Sequence, residues 1–377
     1  MPIDPALVRA SFARVEPHAE RAAAYFYGRL FAENAQLRAL FPPVMDMRRD
    51  RLFAALGQIL ARVDDLGGLG DFLGQLGRDH RKFGLLPEHY TAVGRALIAT
   101  VRRFCGPAWD NVTEAAWISA YTAAANLMIE AAAADTQPAW WPAEVVAHER
   151  RTPDIAVITL RPSGRLPYRA GQYVSVQTPR RPRVWRSYSV ANAPRADGCL
   201  QLHVRAVPGG TVSPALVKET APGDGVLLGP AVGTMAAPEG DRELLLVAGG
   251  TGLAPLKAIL QQVLASGRRP GTHLLVGART ARELYDLPDL LVLASRHPRL
   301  RLFPVISAEA GADGLRGRVP DVLERFHPWT AHEAYVCGPS GMVEAAVARL
   351  REDGVPAHRI HHDLRGERAA LPSPAVW

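Results

Sequence analysis

The chain changes its hydrophobic pattern abruptly within the segment DTQPAWWPAE at residues 135–144. Before this segment, apolar residues recur at helical spacing, as in the face formed by Ala23, Tyr27 and Leu30. Two prolines and two tryptophans interrupt the pattern, and short stretches of alternating polar and apolar residues follow. Because one segment cannot follow both periods, we predict an all-α domain over residues 1–136 and a different fold after it.

Residues that disfavour helix interiors divide the N-terminal part into shorter helices. They occur in FPPV at residues 41–44, in DDLGGLGD at residues 64–71 and in CGP at residues 105–107. Proline lacks an amide hydrogen, and glycine loses the most conformational entropy when it is ordered. We therefore predict that helices stop at these three places.

Two further patterns follow the helical part. Residues 143–237 contain short alternating strands separated by turn residues, which predicts an antiparallel β-barrel. Over residues 240–377, strands such as ELLLVAG and THLLVGA alternate with helical stretches, which predicts a parallel α/β sheet. Since 377 residues exceed what one compact core holds, we predict a multidomain protein with these three parts in series.

The composition excludes several function classes. Only three of the 44 Lys and Arg residues are lysines, and the arginines are scattered although the net charge is +7, so we predict no nucleic-acid partner. The three cysteines are odd in number and lack metal-ligand spacing, which indicates neither a disulfide framework nor a zinc site. Because the sequence shows neither a signal peptide nor an apolar run long enough to span a bilayer, we expect a cytoplasmic protein without stable membrane association.

A histidine interrupts an otherwise apolar helix face in the stretch LGRDHRKFG. At helical spacing, His80 continues a stripe formed by Leu69, Leu73 and Leu76. A polar imidazole on such a face requires a partner. The residues alone leave two interpretations open, which are a satisfied core histidine and a ligand of a metal or cofactor.

The segment ELLLVAGGTGLAPLKAIL predicts a strand, a glycine turn and a helix. The turn consists of Gly249, Gly250, Thr251 and Gly252. Glycines let the backbone approach a ligand closely, and the positive end of the following helix attracts phosphate. Because the turn does not match the GxGxxG fingerprint, a plain tight turn remains an alternative to a nucleotide site.

Three more motifs occur in series, RSYS at residues 186–189, GGTVS at residues 209–213 and AYVCGPSGM at residues 334–342. With the glycine turn they resemble the ferredoxin-NADP reductase family over residues 143–366. The resemblance implies an FAD-binding barrel followed by a domain that binds NADH or NADPH. The cofactor-binding residues that it implies are Arg186, Tyr188, Ser189, Arg205, Gly210, Ser213, Gly249, Gly250, Thr251, Gly252, Arg279, Cys337, Gly338 and Pro339.

The resemblance also assigns roles to some of these residues. Arg186 would neutralise the flavin pyrophosphate, which Ser213 would also reach. Tyr188 would lie against the isoalloxazine, and Ser189 would hydrogen-bond near the hydride-accepting nitrogen. Cys337 would lie beside the nicotinamide, although a small buried strand residue is the alternative interpretation.

The helical part resembles a globin, because YFYGRLF, LRALFPP, RDHRKFGLLPEHYTAVG and AAWISAYTAAANLMIE occur in globin order. With the reductase behind it, the whole chain resembles the flavohaemoglobin family. This resemblance implies that His80 is the proximal ligand of the iron of haem b and that Phe41 packs against the haem. Tyr27 would be the distal tyrosine that hydrogen-bonds dioxygen, and Tyr90 would be the proximal tyrosine.

Three positions depart from the family pattern. Arg48 replaces a distal glutamine, and it would approach the ligand or a haem propionate, or else reach solvent. Ala132 replaces the proximal glutamate, and Glu130 should point elsewhere, since two residues are about 200° around a helix. This loss should weaken the electronic push from the proximal histidine on bound oxygen. Arg365 replaces an aromatic residue that covers the flavin.

The flavohaemoglobin resemblance implies nitric oxide dioxygenase activity. Hydride would pass from a nicotinamide to FAD and single electrons from FAD to haem, where dioxygen and nitric oxide would give nitrate. The alternatives are a haem and flavin reductase acting on peroxide or another small ligand, and an oxygen-sensing or redox-sensing globin. The expected partners are therefore small molecules. Arg279 and Arg282 could both meet a 2′-phosphate, so the choice between NADH and NADPH stays open, as does the oligomeric state.

Overall fold

The computed structural model of the protein describes residues 4–43, 52–62, 65–267, 270–309, 313–326 and 328–363. These residues fall into two compact units. The first contains the chain up to Trp140 together with the short segment Pro182–Trp185. The second contains Trp141–Arg181 and the described chain from Arg186 to Asp363. Each unit has its own hydrophobic core.

The first unit is built from α-helices, as predicted. Within the described ranges they are α1 (Pro5–Val15), α2 (Ala19–Glu33), α3 (Leu52–Ala61), α4 (Leu66–His80), α5 (Pro87–Cys105) and α6 (Asn111–Ala134). Aspartates cap three of them, among them α1 and α6, where Asp4 accepts a hydrogen bond from the backbone of Ala6 and Asp110 accepts one from the backbone of Thr113. The core of this unit includes the fully buried Phe26 of α2.

A helix ends near the DDLGGLGD stretch as predicted, since α3 ends at Ala61, but the break is shorter than residues 64–71 because α4 already begins at Leu66 and runs through the glycines. The carboxylate of Asp65 accepts a hydrogen bond from the backbone of Gly68 at 3.0 Å and so caps the helix. This cap and the packing of α4 against α6 supply the stability that glycine-rich sequence lacks locally. The helix end predicted at residues 105–107 is confirmed by the end of α5.

The helices α4 and α6 approach each other very closely. A Cβ atom at Gly77 would lie 2.1 Å from the carbonyl oxygen of Met128, so this crossing requires glycine. The last residue of α4 is His80, three positions after the crossing. The close packing therefore fixes the part of α4 that carries the candidate ligand.

The second unit begins with an antiparallel barrel. Its elements are β1 (Trp141–Arg150), β2 (Ile155–Pro162), β3 (Tyr173–Gln177), β4 (Arg186–Ser189), β5 (Leu200–Arg205), α7 (Val212–Lys218) and β6 (Gly225–Leu228). The strand order is β4-β3-β6-β1-β2-β5. A bridge between Val190 and Leu202 brings the edge strands β4 and β5 together, so the barrel nearly closes. Strand β6 was not predicted from the sequence, because GVLL is too short and uniform to show alternation.

The remainder of this unit is a parallel sheet with helices. Its elements are β7 (Leu244–Gly249), α8 (Leu253–Ala265), β8 (Thr272–Ala278), α9 (Leu287–Arg296), β9 (Leu300–Ile306), β10 (Leu315–Arg316), α10 (Val319–Arg325), β11 (Glu333–Cys337), α11 (Ser340–Glu352) and β12 (Ile360–His362). The strand order is β10-β9-β8-β7-β11-β12, so the direction in which strands are added reverses between β7 and β11. Open α/β sheets bind ligands at the carboxyl ends of the strands at such a switch point.

The structure confirms the predicted fold class of a helical part, an antiparallel barrel and a parallel α/β domain. Every helix in the described part of the chain is too short or too polar to cross a bilayer.

Candidate functional site

His80 lies at the end of α4, where only 2% of its surface is exposed. Its Nδ1 atom lies 2.6 Å from the carbonyl oxygen of Leu76, and because a carbonyl oxygen only accepts, Nδ1 carries the proton and donates it. Burial lowers the pKa of His80 to about 4, so the ring is neutral at physiological pH. The lone pair is then on Nε2, and this is the form of imidazole that binds haem iron. The chemistry of His80 therefore fits a proximal haem ligand.

The side of α4 that packs against α6 is apolar. Phe72, Leu73 and Leu76 of α4 are buried with Met128 of α6, and Tyr90 of α5 packs against them. Such surroundings exclude water and disfavour charge. They suit an apolar tetrapyrrole held by a neutral imidazole.

Tyr90, the predicted proximal tyrosine, is half-buried in α5. The hydroxyl of Tyr121 donates a hydrogen bond to the backbone oxygen of Tyr90 at 2.6 Å, which ties α6 to α5. Burial raises the pKa of Tyr90 to about 12, so its hydroxyl keeps its proton. Glu130 is exposed on α6, whereas Ala132 is half-buried and has no acceptor to offer.

Three aromatic side chains pack together at and after α2. The ring centroid of Tyr27 lies 5.7 Å from that of Phe41 and 5.9 Å from that of Phe31. Tyr27 and Phe41 are both buried in the same core. The structure thus brings two of the predicted haem-pocket residues into one aromatic cluster, while Arg48 and Arg365 lie outside the described residues.

A buried ion pair flanks His80 in the chain. The Nζ atom of Lys82 lies 2.6 Å from Oδ1 of Asp79, and the two side chains are 1% and 8% exposed. Burial raises the pKa of Asp79 and lowers that of Lys82, while each charge favours the ionised form of the other. The same Nζ atom lies 5.5 Å from the ring centroid of Trp185, within cation–π range. Trp185 belongs to the same compact unit as the pair.

The RSYS motif forms β4, which pairs antiparallel with β3. Because side chains alternate along a strand, Arg186 and Tyr188 share one face and Ser189 lies on the other. All three residues are half-buried and so remain partly accessible. A cation and an aromatic ring on one face fit the pyrophosphate and the ring system of a flavin.

The GGTVS motif spans the loop before α7 and the first two residues of that helix. The backbone of Gly209 has φ +70°, a conformation that glycine adopts at little cost. Gly210 donates a backbone hydrogen bond to Val207 at 2.9 Å, and the hydroxyl of Ser213 accepts one from the backbone of Val207 at 3.1 Å. Since a hydroxyl that accepts keeps its own proton to donate, Ser213 retains a donor for a phosphate oxygen.

The glycine turn and the CGP turn meet at the carboxyl ends of the adjacent strands β7 and β11. A Cβ atom at Gly252 would lie 2.4 Å from the carbonyl oxygen of Cys337. A Cβ atom at Gly249 would lie 2.9 Å from Pro339, and one at Gly338 would lie 3.0 Å from Gly249. The two turns therefore touch through their backbones, and glycine is required at the contact. This is the switch point of the sheet, where a dinucleotide binds in such folds.

Gly250 and Thr251 form the middle of the turn that leads into α8. Gly250 has φ +53°, and a Cβ atom there would lie 3.6 Å from Nη1 of Arg205. The guanidinium of Arg205 also pairs with Asp154 at 3.5 Å. Arg205 thus places a positive charge beside the turn, where the phosphates of a nucleotide are expected.

Three charged residues of the site, Glu283, Asp79 and Lys82, were not predicted from the sequence. Glu283 forms an ion pair with Arg279, with Nη2 of the arginine 2.6 Å from Oε1 of the carboxylate. Both ion pairs have a sequence spacing of three or four residues, a signal that could have suggested them. That spacing does not reveal that one pair is buried, nor that Glu283 lines a cleft beside Gly250.

Three family models match consecutive parts of the chain. The model described as Globin matches residues 24–128, that of the oxidoreductase FAD-binding domain residues 142–236, and that of the oxidoreductase NAD-binding domain residues 246–348. The protein therefore combines a haem-binding domain with FAD-binding and nicotinamide-binding domains.

Known relatives match nearly the whole chain. A Flavohemoprotein of Bordetella pertussis is 31% identical over 400 residues, which cover 96% of this chain and 97% of the relative. A Flavohemoprotein of Deinococcus radiodurans is 29% identical over 385 residues, which cover 95% of each chain. The crystal structure of a flavohemoglobin from Malassezia yamatoensis with bound FAD and haem shares the fold, with a TM-score of 0.75 and 18% identity over 95% of this chain and 97% of that one. On the extent and identity of these matches, and on the three domains in series, the chain belongs to the flavohaemoprotein family.

Proposed function

We propose that the protein is an NAD(P)H-dependent nitric oxide dioxygenase that converts nitric oxide and dioxygen to nitrate. When bound, haem supplies oxygen chemistry, FAD converts two-electron into one-electron transfer, and the nicotinamide supplies hydride. The observation that carries the proposal is the neutral, buried imidazole of His80 in the same chain as a flavin and nicotinamide reductase.

His80 would hold the haem iron through Nε2. The hydrogen bond from Nδ1 to the carbonyl oxygen of Leu76 fixes the plane and the tautomer of the ring. A neutral backbone carbonyl is a weaker hydrogen-bond acceptor than a carboxylate. The Nδ1 proton therefore stays on the ring, which keeps imidazole rather than imidazolate character. With Ala132 in the position of the family's glutamate, this moderate electron donation favours oxygen binding over the cleavage of peroxide.

Tyr27 would supply a hydrogen-bond donor to the ligand of the haem. Its burial in an aromatic cluster lowers the local dielectric, so the hydroxyl interacts more strongly with a partly negative ligand than it would in water. Phe41 would pack against the haem, and Phe31 packs against both Tyr27 and Phe41 and so adds to the apolar wall around the ring of Tyr27. These residues keep water from competing for the ligand.

The second unit delivers the electrons. Arg186 and Tyr188 share one face of β4, where they would hold the flavin. The guanidinium of Arg186 would neutralise the pyrophosphate, and the flat ring of Tyr188 would lie against the isoalloxazine. The glycine turn binds the pyrophosphate of the nicotinamide cofactor through its backbone amides. The CGP turn, in contact with the glycine turn, positions the nicotinamide, and Cys337 lies at its start.

The test is the yield of nitrate per NADH oxidised, measured in air with added nitric oxide. We expect about two nitrate ions per NADH, because a hydride carries two electrons and each conversion consumes one. A yield near zero in protein that binds oxygen normally would refute the proposal. Peroxide-dependent NADH oxidation without nitrate would then favour a peroxide reductase, and oxygen binding without turnover would favour a sensor. The His80→Ala variant serves as the control for haem-independent nitrate.

A further inference from the structure

The antiparallel barrel and the α/β part of the second unit share one hydrophobic core. Ile155 and Val157 of β2 belong to the same buried cluster as Leu256 and Ile259 of α8. Apolar burial holds two parts together, but it is not directional and specifies their relative orientation only weakly. Hydrogen bonds between the barrel and the α/β part are directional, so they are the contacts that can set this orientation.

A buried histidine and a buried tyrosine are hydrogen-bonded between the two parts. Nδ1 of His203, on β5 of the barrel, lies 2.7 Å from the hydroxyl oxygen of Tyr285, which precedes α9. Burial lowers the pKa of His203 and raises that of Tyr285, so both groups are neutral at neutral pH. The other ring nitrogen of His203, Nε2, has no hydrogen-bond partner in the described part of the chain. The hydroxyl of Tyr285 is therefore what orients this ring.

Tyr285 also belongs to the site of the nicotinamide cofactor. It lines the cleft beside the glycine turn, together with Gly250 of that turn and Gly277 of β8. Its ring is thus part of the cofactor cleft, whereas its hydroxyl is bonded to the barrel that carries the flavin motif. One side chain therefore connects the two cofactor sites of this unit.

A chain of ion pairs joins the same two parts close to this bond. Nζ of Lys257, on α8, lies 2.7 Å from Asp286 and 3.5 Å from Asp289. The guanidinium of Arg151, in the turn after β1, lies 3.0 Å from Asp289. Because these charges hold α8 and α9 to the barrel without the tyrosine hydroxyl, loss of that hydroxyl should shift the cleft slightly rather than separate the two parts.

We propose that Tyr285 and His203 are positioning residues for hydride transfer, because their hydrogen bond sets the orientation in which the nicotinamide meets the flavin. The inference rests on the proposed nicotinamide-to-flavin step but on no step at the haem. In that step a hydride, one proton with two electrons, leaves C4 of NADH to give NAD⁺ and reduces the oxidised flavin at N5. Such a transfer depends steeply on distance and angle, so a small shift should slow it without weakening cofactor binding.

The first test compares Tyr285→Phe with the wild type in the full chain loaded with FAD. Phenylalanine keeps the ring that lines the cleft and removes only the hydroxyl. We expect the rate of flavin reduction at saturating NADH to fall about tenfold in stopped-flow measurements, since a displacement of about 1 Å costs about 100-fold and this shift is smaller. The Kd of ADP-ribose in calorimetry should stay within about twofold of the wild type.

A spectroscopic readout separates positioning from stability. Nicotinamide stacked on flavin gives a long-wavelength charge-transfer absorbance, which should weaken in Tyr285→Phe. Loss of stability alone would lower the FAD content and leave the rate and the absorbance per bound flavin unchanged. The matched control is Tyr168→Phe, because the hydroxyl of Tyr168 donates to the backbone oxygen of Asn192 within the barrel, at 3.2 Å. This control removes the same group, and we expect it to change neither readout.

The second test approaches the bond from the barrel. His203→Leu removes the polar atoms, whereas His203→Asn keeps an amide that can donate or accept near the position of Nδ1. We expect leucine to reproduce the loss and asparagine to restore about half of the wild-type rate or more. The double variant of Tyr285→Phe with His203→Leu should be no slower than either single variant, because both remove the same bond. The histidine variants also test the proposal if Tyr285→Phe does not fold.

Five results would overturn the inference. They are an unchanged rate in Tyr285→Phe, an equal fall in Tyr168→Phe, a loss fully explained by weaker binding of ADP-ribose, an asparagine variant as slow as the leucine variant, and losses that add in the double variant. The expected pattern of flavin reduction in protein that forms no nitrate would refute the nitric oxide proposal and leave this one standing.

Discussion

Replacing Gly252 by alanine tests the backbone contact between the glycine turn and the CGP turn. A Cβ atom at this position would lie 2.4 Å from the carbonyl oxygen of Cys337 and 2.6 Å from the amide nitrogen of Gly338. Carbon and oxygen atoms approach to about 3.3 Å in close contacts, so the turns must separate by about 1 Å. Both opposing atoms belong to backbone that follows paired strands, so no side-chain rotation relieves the clash.

A shift of this size has two consequences. Overpacking should cost about 1–3 kcal/mol in the free energy of unfolding. Because the CGP turn positions the nicotinamide in the proposed function, a displacement of about 1 Å should lower kcat/KM for NADH about 100-fold. The flavin site on β4 does not include this contact, so FAD content should be unchanged.

The assay is NADH-driven ferricyanide reduction, with FAD content measured by absorbance. Gly341→Ala is the matched control, because a Cβ atom at Gly341, near the start of α11, meets nothing within 4 Å. The control should retain wild-type kcat/KM. If Gly252→Ala keeps its FAD and its kcat/KM for NADH stays within about twofold of wild type, the contact does not position the nicotinamide and the reasoning is wrong.

Three further substitutions test the first unit. His80→Ala should abolish haem retention, seen as loss of the Soret band, while ferricyanide reduction persists; an unchanged haem spectrum would contradict the assignment of the ligand. Tyr27→Phe should raise the oxygen dissociation rate up to about tenfold in stopped-flow measurements, and an unaltered rate would mean that the hydroxyl does not touch the ligand. Lys82→Met should lower the free energy of unfolding by about 3–5 kcal/mol in denaturant titrations, because the carboxylate of Asp79 is left buried without its partner. Adding Asp79→Asn should recover most of that loss, and an equal loss in the single and double variants would refute the role of the ion pair.

Much of the fold could be predicted from local patterns. The segment THLLVGA coincides with β8, and the CGP signal coincides with the end of α5. The prediction failed where stability comes from partners that are distant in the chain. The glycine-rich start of α4 is helical because Asp65 caps it and α6 packs against it, and no local propensity reports the second of these.

In the candidate site, too, some features could be predicted from the sequence and others could not. Its motifs could be found in the sequence because each is a short run of residues with a particular chemistry, such as the glycine turn or the tyrosine and serine of β4. The charges that modify these motifs could not, since the sequence leaves Arg279 as a plausible partner of a 2′-phosphate. Only the tertiary structure reveals that the carboxylate of Glu283 accepts hydrogen bonds from Arg279 and so neutralises its charge.

By itself, the sequence determined the order of a helical part, a barrel and an α/β part, and it placed His80 on an apolar helix face. It could do so because hydrophobic period and turn chemistry are properties of neighbouring residues. The tertiary structure alone decided that Gly252 touches Cys337 and that Asp79 and Lys82 are buried together. The physical reason is that close contact and burial depend on how segments distant in the chain pack against each other, and no local period records that packing.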